Sequence, residues 1–311
     1  GTGLMILILG STENWVVRQV TTVLVEQGLS TVVISPENLV FDGNLIWQVG
    51  ISQHCQLNDG KRETVSIDCS SLAAILWRGK FPLSTMTSDH WSRQDRDYIA
   101  KEGYAALLGL LQDCPCPVIN QPTPAGDRSR FFFADACWTR RFAEYSIHLP
   151  SMCLATSRSL AHEWLQDASG TVRSISLAGA DSTGLVPEQS ELSEWDYMKS
   201  PLCLQTIPSG QWFHVVTCGE EALGGPIDPQ VGYGSFVTGV EPQACPSSLI
   251  KKCVFLGKTF QMEFAESIWV NHEGGQWYCM DWNSSPQAEH WGTTMHQEIP
   301  KLLAKLLVNI S

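Results

Sequence analysis

The sequence has little positive charge, and the longest apolar run near its start is short. It contains 20 lysine and arginine residues against 32 aspartate and glutamate residues, a formal net charge of −12. Because non-specific nucleic-acid binding relies on clustered basic side chains, this composition argues against a nucleic-acid partner. The run at residues 4–9 is far too short to cross a membrane, and no basic segment precedes it. We therefore expect neither a membrane span nor a signal peptide.

The chain also lacks the cysteine spacing of common zinc sites and disulfide frameworks. It has 11 cysteines, an odd number, and Cys114 and Cys116 are the only closely spaced pair. A zinc site takes four ligands, usually arranged in closely spaced pairs, and no C-x-x-C is present. We expect most of these cysteines to be small buried residues of a protein in the reducing cytoplasm.

Three catalytic motifs are incomplete or absent. Only Gly10 follows the first predicted strand, where a dinucleotide-binding fingerprint needs three glycines. The segment from Gly232 to Ser235 approaches the nucleophile elbow of serine hydrolases but does not match it. The glycine-rich stretch 219–239 has no G-K-[ST] sequence, so we expect it to be a flexible loop, such as a lid, and not a P-loop. These observations argue against nicotinamide, flavin and serine-hydrolase chemistry.

Strand and helix patterns alternate in the N-terminal third. Apolar and β-branched runs predict strands at residues 5–9, 30–35, 73–77 and 117–120. Apolar residues at helical spacing predict helices at 16–27 and 89–111, the second capped by Asp89. This β-α-β order implies a parallel sheet with helices on its faces.

The remainder mixes helices with antiparallel pairs. We predict helices at 127–145, 157–166, 246–260 and 294–308, and strands at 149–156, 171–178, 202–207, 211–218, 264–270 and 276–282. A chain of 311 residues suits two or three packed subdomains. We place their boundaries after residues 119 and 206, giving domains 1–119, 120–206 and 207–311. The fold class is α/β, with an α+β character in the C-terminal half.

Asp281 and Asn283 follow a short apolar run near the end of the sequence. On a strand, residues two apart share a face, so the two side chains point the same way. A carboxylate and an amide oxygen on one face are ligands suited to Mg²⁺. An ordinary strand that ends in a polar turn is the alternative.

The element order and four segments resemble the ATP-grasp superfamily of carboxylate–amine ligases, including its glutathione synthetase-like and RimK-like branch. The segments are residues 117–122, 149–157, 204–216 and 280–286. The resemblance implies a Rossmann-like N-terminal domain, a central lid-like subdomain and a C-terminal ATP-grasp-like subdomain. It implies an enzyme that uses ATP and Mg²⁺ to join a carboxylate to an amine through an acyl phosphate. The substrate is then a small molecule or a peptide, and a homodimer stays an open alternative.

The resemblance also assigns roles to individual residues. The expected metal ligands are Asp281, Asn283 and Glu266. The residues expected at the nucleotide are Arg128, Arg130, Arg173 and Gln205. Arg78 and His214 are expected to be catalytic, with Arg78 binding a substrate carboxylate. For Arg78 the alternative is a solvated loop arginine, and for His214 it is an ordinary strand residue.

Several positions depart from the family pattern. The strand at 171–178 holds Arg173 where the family has lysine, and His214 stands where it has arginine. Thr206 replaces the glutamate after the family's glutamine, and Ile268 falls where the first metal strand carries an acidic residue. Either Glu266, two residues earlier, supplies that oxygen, or the site is weakened. The alternative function is therefore a degenerate ATP-grasp-fold protein without ATP turnover, which binds a partner or carries out a different reaction.

Overall fold

The structure is a computed structural model of the chain. It describes residues 5–42, 46–48, 54–57, 67–79, 92–122, 142–155, 157–168, 170–175, 185–186, 202–227, 245–286, 288 and 291–310. Its helices, numbered here along the chain, are α1 (Trp15–Glu26), α2 (Arg93–Asp113), α3 (Arg158–Asp167), α4 (Ser247–Phe260) and α5 (Thr293–Asn309). Shorter helical turns lie at Asn38–Asp42 and Cys69–Ser71.

The strands belong to four sheets. The first eight are β1 (Met5–Leu9), β2 (Ser30–Ile34), β3 (Ile46–Gln48), β4 (His54–Leu57), β5 (Ile67–Asp68), β6 (Leu72–Trp77), β7 (Val118–Ile119) and β8 (Ile147–His148). The others are β9 (Met152–Ala155), β10 (Thr171–Ile175), β11 (Leu185–Val186), β12 (Leu202–Ile207), β13 (Gln211–Cys218), β14 (Glu221–Ile227), β15 (Phe264–His272) and β16 (Gln276–Asn283).

The N-terminal sheet has the order β2-β1-β6-β7, and all its strands are parallel. Successive side chains of a strand point to opposite faces, so β1 feeds two cores. Ile6 and Ile8 join a cluster with α1 and α5, whereas Leu7 and Leu9 join one with α2. Burial on both faces explains why these strands read as nearly continuous apolar runs.

Two further sheets are antiparallel, one in the middle of the chain and one in its N-terminal third. The central sheet has the order β11-β10-β12-β9, and α3 packs against it through a small apolar cluster. A separate sheet, β3-β4-β5, is formed by strands that the sequence patterns did not predict. Its strands have two to four residues, too few to show a clear alternation of apolar and polar side chains.

The C-terminal sheet has the order β14-β13-β15-β16-β8. One face packs on α4 through a large aromatic cluster that includes Phe213, Trp269 and Trp282. The other face divides along its length: Val216 and Phe264 join the cluster of α1 and α5, while the far end carries a separate apolar cluster. The candidate site described below lies between these two apolar parts.

The predicted α/β class and parallel N-terminal sheet are confirmed, and most predicted elements in the described residues lie within a few positions of their observed bounds. The predicted helix 127–145 lies mostly outside the described residues, as does Asp89, and α2 is instead capped by Ser92, whose Oγ accepts from the Asp95 amide. The domain boundaries after residues 119 and 206 stay predictions. Among the described helices, none has the length and apolarity that a membrane crossing requires.

The expectation of a loop throughout 219–239 is wrong for its first part. Residues Glu221–Ile227 form β14, which pairs with β13 along seven positions. Gly224, one of the glycines that suggested a loop, serves close packing, because a Cβ there would collide with the backbone of His214 and Val215. Glycine therefore permits close approach of two strands here.

Candidate functional site

Polar side chains lie together on one face of the C-terminal sheet. The register pairs Glu266 with Asn283, and Ile268 with both Asp281 and His214. Residues paired across neighbouring strands share a face of the sheet. The strand pairing thus places two carboxylates, an amide and an imidazole side by side on β13, β15 and β16.

Glu266 is the centre of the contacts on this face. Its side chain is nearly buried, and its Oε1 accepts a hydrogen bond of 2.7 Å from Asn283 Nδ2. Its Oε2 lies 3.4 Å from Nε2 of His214. Asn283 is held from its other side by Ser285, whose backbone amide donates to Asn283 Oδ1 at 2.8 Å. The carboxylate and the amide are thus fixed relative to each other before any ligand binds.

His214 is buried on β13, with only 1% of its surface exposed. Its Nδ1 has no hydrogen-bond partner in the part of the chain that the structure describes. Buried polar atoms are nearly always hydrogen-bonded, so this nitrogen is available to a ligand. The catalytic role of His214 and the alternative of an ordinary strand residue both stay predictions.

Ile268 supplies no oxygen to this face. It is buried in the apolar cluster with Trp212, Val270 and Met280, directly across from Asp281. The register shifts between Ile268 and Trp269, which leaves Met280 as an extra residue on β16. Such a bulge re-aims the side chains that follow it. Glu266, two pairs further along, is the acidic residue of β15 on this face, and its role as a metal ligand stays a prediction.

Gln205 connects the central sheet to this site. It is fully buried on β12, and its Nε2 donates to the backbone oxygen of Met280 at 3.5 Å. Ile207, on the same strand, packs against the apolar cluster. Arg173 is the cross-strand partner of Gln205 on β10, whereas Arg128 and Arg130 lie outside the described residues. The structure thus brings Gln205 to the edge of the site, and the roles of the three arginines toward phosphate stay predictions.

Arg78 approaches the site from the N-terminal sheet. It directly follows β6 and is only 6% exposed, so the alternative of a solvated loop arginine is wrong. Its Nη2 donates to the backbone oxygen of Pro286 at 3.1 Å, and its guanidinium lies 5.4 Å from the ring centroid of Phe264. Phe264 is the first residue of β15 and Pro286 follows β16, so both partners belong to the segments that carry the candidate metal ligands. Its role toward a substrate stays a prediction.

Asn120 is a residue that the sequence interpretation missed. It follows β7 with φ of 57°, a left-handed conformation that asparagine tolerates better than most residues. Its side chain bonds to Phe264 and Ser284, which lie 144 and 164 residues further along the chain. The sequence marked Asn120 only as part of the predicted domain boundary. Its hydrogen-bond partners lie too far along the chain for sequence patterns to reveal them.

The oxygen atoms on this face suit a Mg²⁺ ion that is bound partly by the protein and partly by a ligand. They do not suit a metal site formed by protein side chains alone. In the described residues, no group of three or more histidine, cysteine, aspartate or glutamate side chains is arranged to hold a metal ion. Glu266, Asp281 and Asn283 do offer hard oxygens on one face. Mg²⁺ is commonly bound by one or two carboxylates together with water and substrate phosphates. These residues fit such a site.

The sequence of this chain matches no known family, whereas its fold is similar to several solved structures. No family model matches the sequence, and no curated protein matches it. Among solved structures, the macrocyclase MdnC of Microcystis aeruginosa, bound with the precursor peptide MdnA, has a TM-score of 0.78 at 14% identity, over 98% of this chain and 99% of that one. The RiPP-associated ATP-grasp ligase of Chryseobacterium gregarium, in complex with ADP and a leader and core peptide, has a TM-score of 0.77 at 13% identity, over 99% and 97%.

A third similar structure widens the group. The RimK domain ATP-grasp protein of Sphaerobacter thermophilus has a TM-score of 0.56 at 14% identity, over 98% of this chain and 99% of that one. At such identities the likeness concerns the fold, and in each comparison it extends over nearly the whole of both chains. The resemblance predicted from the sequence is confirmed at that level: the chain has the ATP-grasp fold.

Proposed function

We propose that the protein is an ATP-dependent ligase that joins a carboxylate of a peptide substrate to an amine. The observation that carries this proposal is the set of oxygen donors on one sheet face, Glu266, Asp281 and Asn283, with buried Gln205 reaching the neighbouring Met280. The choice of a peptide is supported by the precursor, leader and core peptides bound in the two similar structures.

The proposed reaction has two steps. A carboxylate oxygen of the substrate attacks the γ-phosphorus of ATP, the bond to the leaving ADP breaks, and an acyl phosphate forms. The amine nitrogen then attacks the acyl carbon and loses a proton, and inorganic phosphate leaves. Phosphoryl transfer of this kind depends mainly on positioning and on offsetting the phosphate charge.

We assign the positioning of ATP and the offset of its phosphate charge to different groups of residues. Glu266, Asp281 and Asn283 would hold Mg²⁺, which when bound neutralises charge on the phosphates. Gln205 and the β12 backbone would flank the adenine, next to the apolar cluster around Ile268. The cations proposed at the phosphates are Arg173, Arg128 and Arg130. Arginine suits that part, because its fork matches phosphate oxygens.

The substrate side of the site is proposed at the N-terminal sheet. Arg78 stands at the carboxyl end of a parallel strand, where ligands of such sheets usually bind. One of its nitrogens is bonded to Pro286, and a guanidinium offers five N–H donors in all. We propose that the Arg78 guanidinium binds the substrate carboxylate at this strand end.

A second candidate function is a degenerate ATP-grasp protein that binds a peptide or a partner without turning ATP over. The observation that favours it is Ile268, an apolar side chain buried directly across from Asp281. A site with one carboxylate fewer would hold Mg-ATP less tightly. Binding and turnover must therefore be measured separately.

Thermal unfolding with and without Mg-ATP tests the proposal. A ligand that binds the folded state alone stabilises it by about 2.7 kcal/mol at a hundredfold excess over its Kd. We expect the Tm to rise with Mg-ATP, and to rise much less in Asp281→Ala or when a chelator removes Mg²⁺. An unchanged Tm of the wild type at millimolar Mg-ATP would contradict both ATP binding and the ligase proposal. A rise without ADP formation in the presence of peptide substrates would favour the second candidate.

A further inference from the structure

The loop after β16 is tied to the N-terminal sheet by buried side chains. Asn120 donates from Nδ2 to the backbone oxygens of Phe264 and Ser284, at 2.5 and 3.0 Å. Its Oδ1 accepts from the Phe264 amide at 3.1 Å. Arg78, at the end of the adjacent strand β6, adds the bond to Pro286. Two neighbouring strand ends therefore hold the segment that follows Asn283.

The amide of Asn120 is matched to its partners atom by atom. Its oxygen faces an N–H group, and its nitrogen faces two carbonyl oxygens, so the reversed amide would place like groups against each other. The residue is 6% exposed. Buried bonds of this kind are costly to break, because each partner left behind is cut off from water.

These partners lie on both strands that carry the candidate ligands. Phe264 begins β15, two residues before Glu266, and Ser284 directly follows Asn283 at the end of β16. The Asn120 side chain thus connects β15 to the end of β16, close to the hydrogen bond between Glu266 and Asn283.

We propose that Asn120 is a positioning residue for the metal–nucleotide site. By fixing the start of β15 to the loop after β16, it sets the separation of Glu266 and Asn283 and keeps their oxygens in place for Mg²⁺. This inference rests on the proposed function and deepens it, since it assigns a structural partner from the N-terminal sheet to the ligands. Asn120 acts through Glu266 and Asn283 and does not itself contact the reacting atoms.

The test uses amide hydrogen exchange of the full ligand-free chain. Asn120→Asp keeps the size of the side chain and its tolerance of the left-handed backbone, but its carboxylate would face two carbonyl oxygens. The reporter is the Ser285 amide, which bonds to Asn283 Oδ1. We expect exchange in residues 282–285 to become at least about tenfold faster, because local opening there loses buried hydrogen bonds.

Two further variants separate positioning from general loss of stability. Asn120→Gly suits the backbone conformation and removes all three bonds, so it serves where Asn120→Asp folds poorly. Ile34→Val, in the core of the distant edge strand β2, is the control for an overall stability loss of about 0.5–1.5 kcal/mol. We expect the control to leave exchange in residues 282–285 at the wild-type rate. Equal exchange in Asn120→Asp and Ile34→Val would overturn the proposal.

A second readout connects the loop to the metal. Thermal shift with Mg-ADP at increasing Mg²⁺ should show a half-saturating Mg²⁺ concentration about tenfold higher in the Asn120 variants, equivalent to about 1.4 kcal/mol of binding free energy. Faster exchange with an unchanged Mg²⁺ requirement would make Asn120 a structural clamp only and overturn its positioning role. If the wild type shows no Mg-ADP shift, the proposed function fails, while the exchange experiment still decides whether the clamp exists.

Discussion

Glu266 makes the two contacts that connect the polar face of the C-terminal sheet, one to His214 and one to Asn283. Removing its charge should weaken the proposed metal site with little change in its shape. We expect Glu266→Gln to raise the half-saturating Mg²⁺ concentration at least about tenfold, since a hard cation prefers carboxylate oxygen to a neutral amide. Isothermal titration with Mg-ADP measures this change.

Glu220→Gln is the matched control for that substitution. It removes the same charge at a surface carboxylate that pairs with Lys258, where both side chains are more than half exposed. Surface pairs contribute little, so its Mg²⁺ requirement should equal that of the wild type. Equal Mg²⁺ requirements in the two variants would show that Glu266 holds no metal.

Three residues show why the candidate site was only partly predictable. The common face of Asp281 and Asn283 was predictable because spacing on a strand is a local property, and the register confirms that they share this face with Glu266. Asn120 was missed because its hydrogen bonds span 144 and 164 residues. Local patterns report periodicity and turns, whereas a contact between distant segments depends on how the sheets pack.

Among the elements, β14 also shows that local sequence patterns do not reveal how strands pack. Its Gly224-Gly225 pair resembles a loop, because glycine is unfavourable in strand interiors. In the fold, Gly224 lets β14 lie close to the backbone of His214 and Val215. The hairpin β15–β16 was predictable because the alternation of its side chains and the glycines of its turn both indicate a hairpin. Helices with a clear apolar face were predictable for a similar reason, since their periodicity is local.

Gly224→Ala tests this packing. The added methyl group would meet backbone atoms of β13, which cannot rotate away as a flexible side chain can. We expect a loss of about 1–3 kcal/mol in the free energy of unfolding, as for other overpacked positions. Urea denaturation measures it, and a variant as stable as the wild type would contradict the close approach of the two strands at this position.

Helix α4 carries a buried thiol that should make stability depend on alkaline pH. Burial raises the pKa of Cys253 from its ordinary value of 9.0 to about 12, because the thiolate is poorly solvated beneath the sheet. Between pH 9 and 12 the unfolded chain releases a proton that the folded chain keeps. Stability is therefore fully present below pH 9 and falls above it, by at most about 1.4 kcal/mol per pH unit for one thiol.

Cys253→Ala should make this decline shallower. Burial also raises the pKa of Cys218, so part of the decline remains in the variant. Urea unfolding on either side of pH 9 measures the slope, with Cys153→Ala as the control because that thiol on β9 is only partly buried. If the free energy of unfolding falls with pH at the same rate in wild type and Cys253→Ala, the fold does not protect the Cys253 thiol from ionisation.

At the scale of the whole molecule, the central claim is that the sheets meet around one ligand. Gln205 of the central sheet reaches Met280, Asn120 and Arg78 of the N-terminal sheet reach residues 264 and 284–286, and the C-terminal sheet supplies the oxygens. Under the proposed function, this convergence is how a chain of net charge −12 would hold ATP. Mg²⁺ and a few arginines would offset the phosphate charge locally, although the molecule as a whole repels anions.

A crystal structure of the protein with Mg²⁺ and a non-hydrolysable ATP analogue tests this claim most directly. We predict Mg²⁺ bound to oxygens of Asp281, Asn283 and Glu266 and to the analogue's phosphates, with the adenine beside Gln205 and Met280. Arg173, and Arg128 or Arg130, should contact the phosphates. A structure obtained at saturating analogue in which protein side chains fill this cleft and the arginines point to solvent would contradict the account and leave only the shared fold.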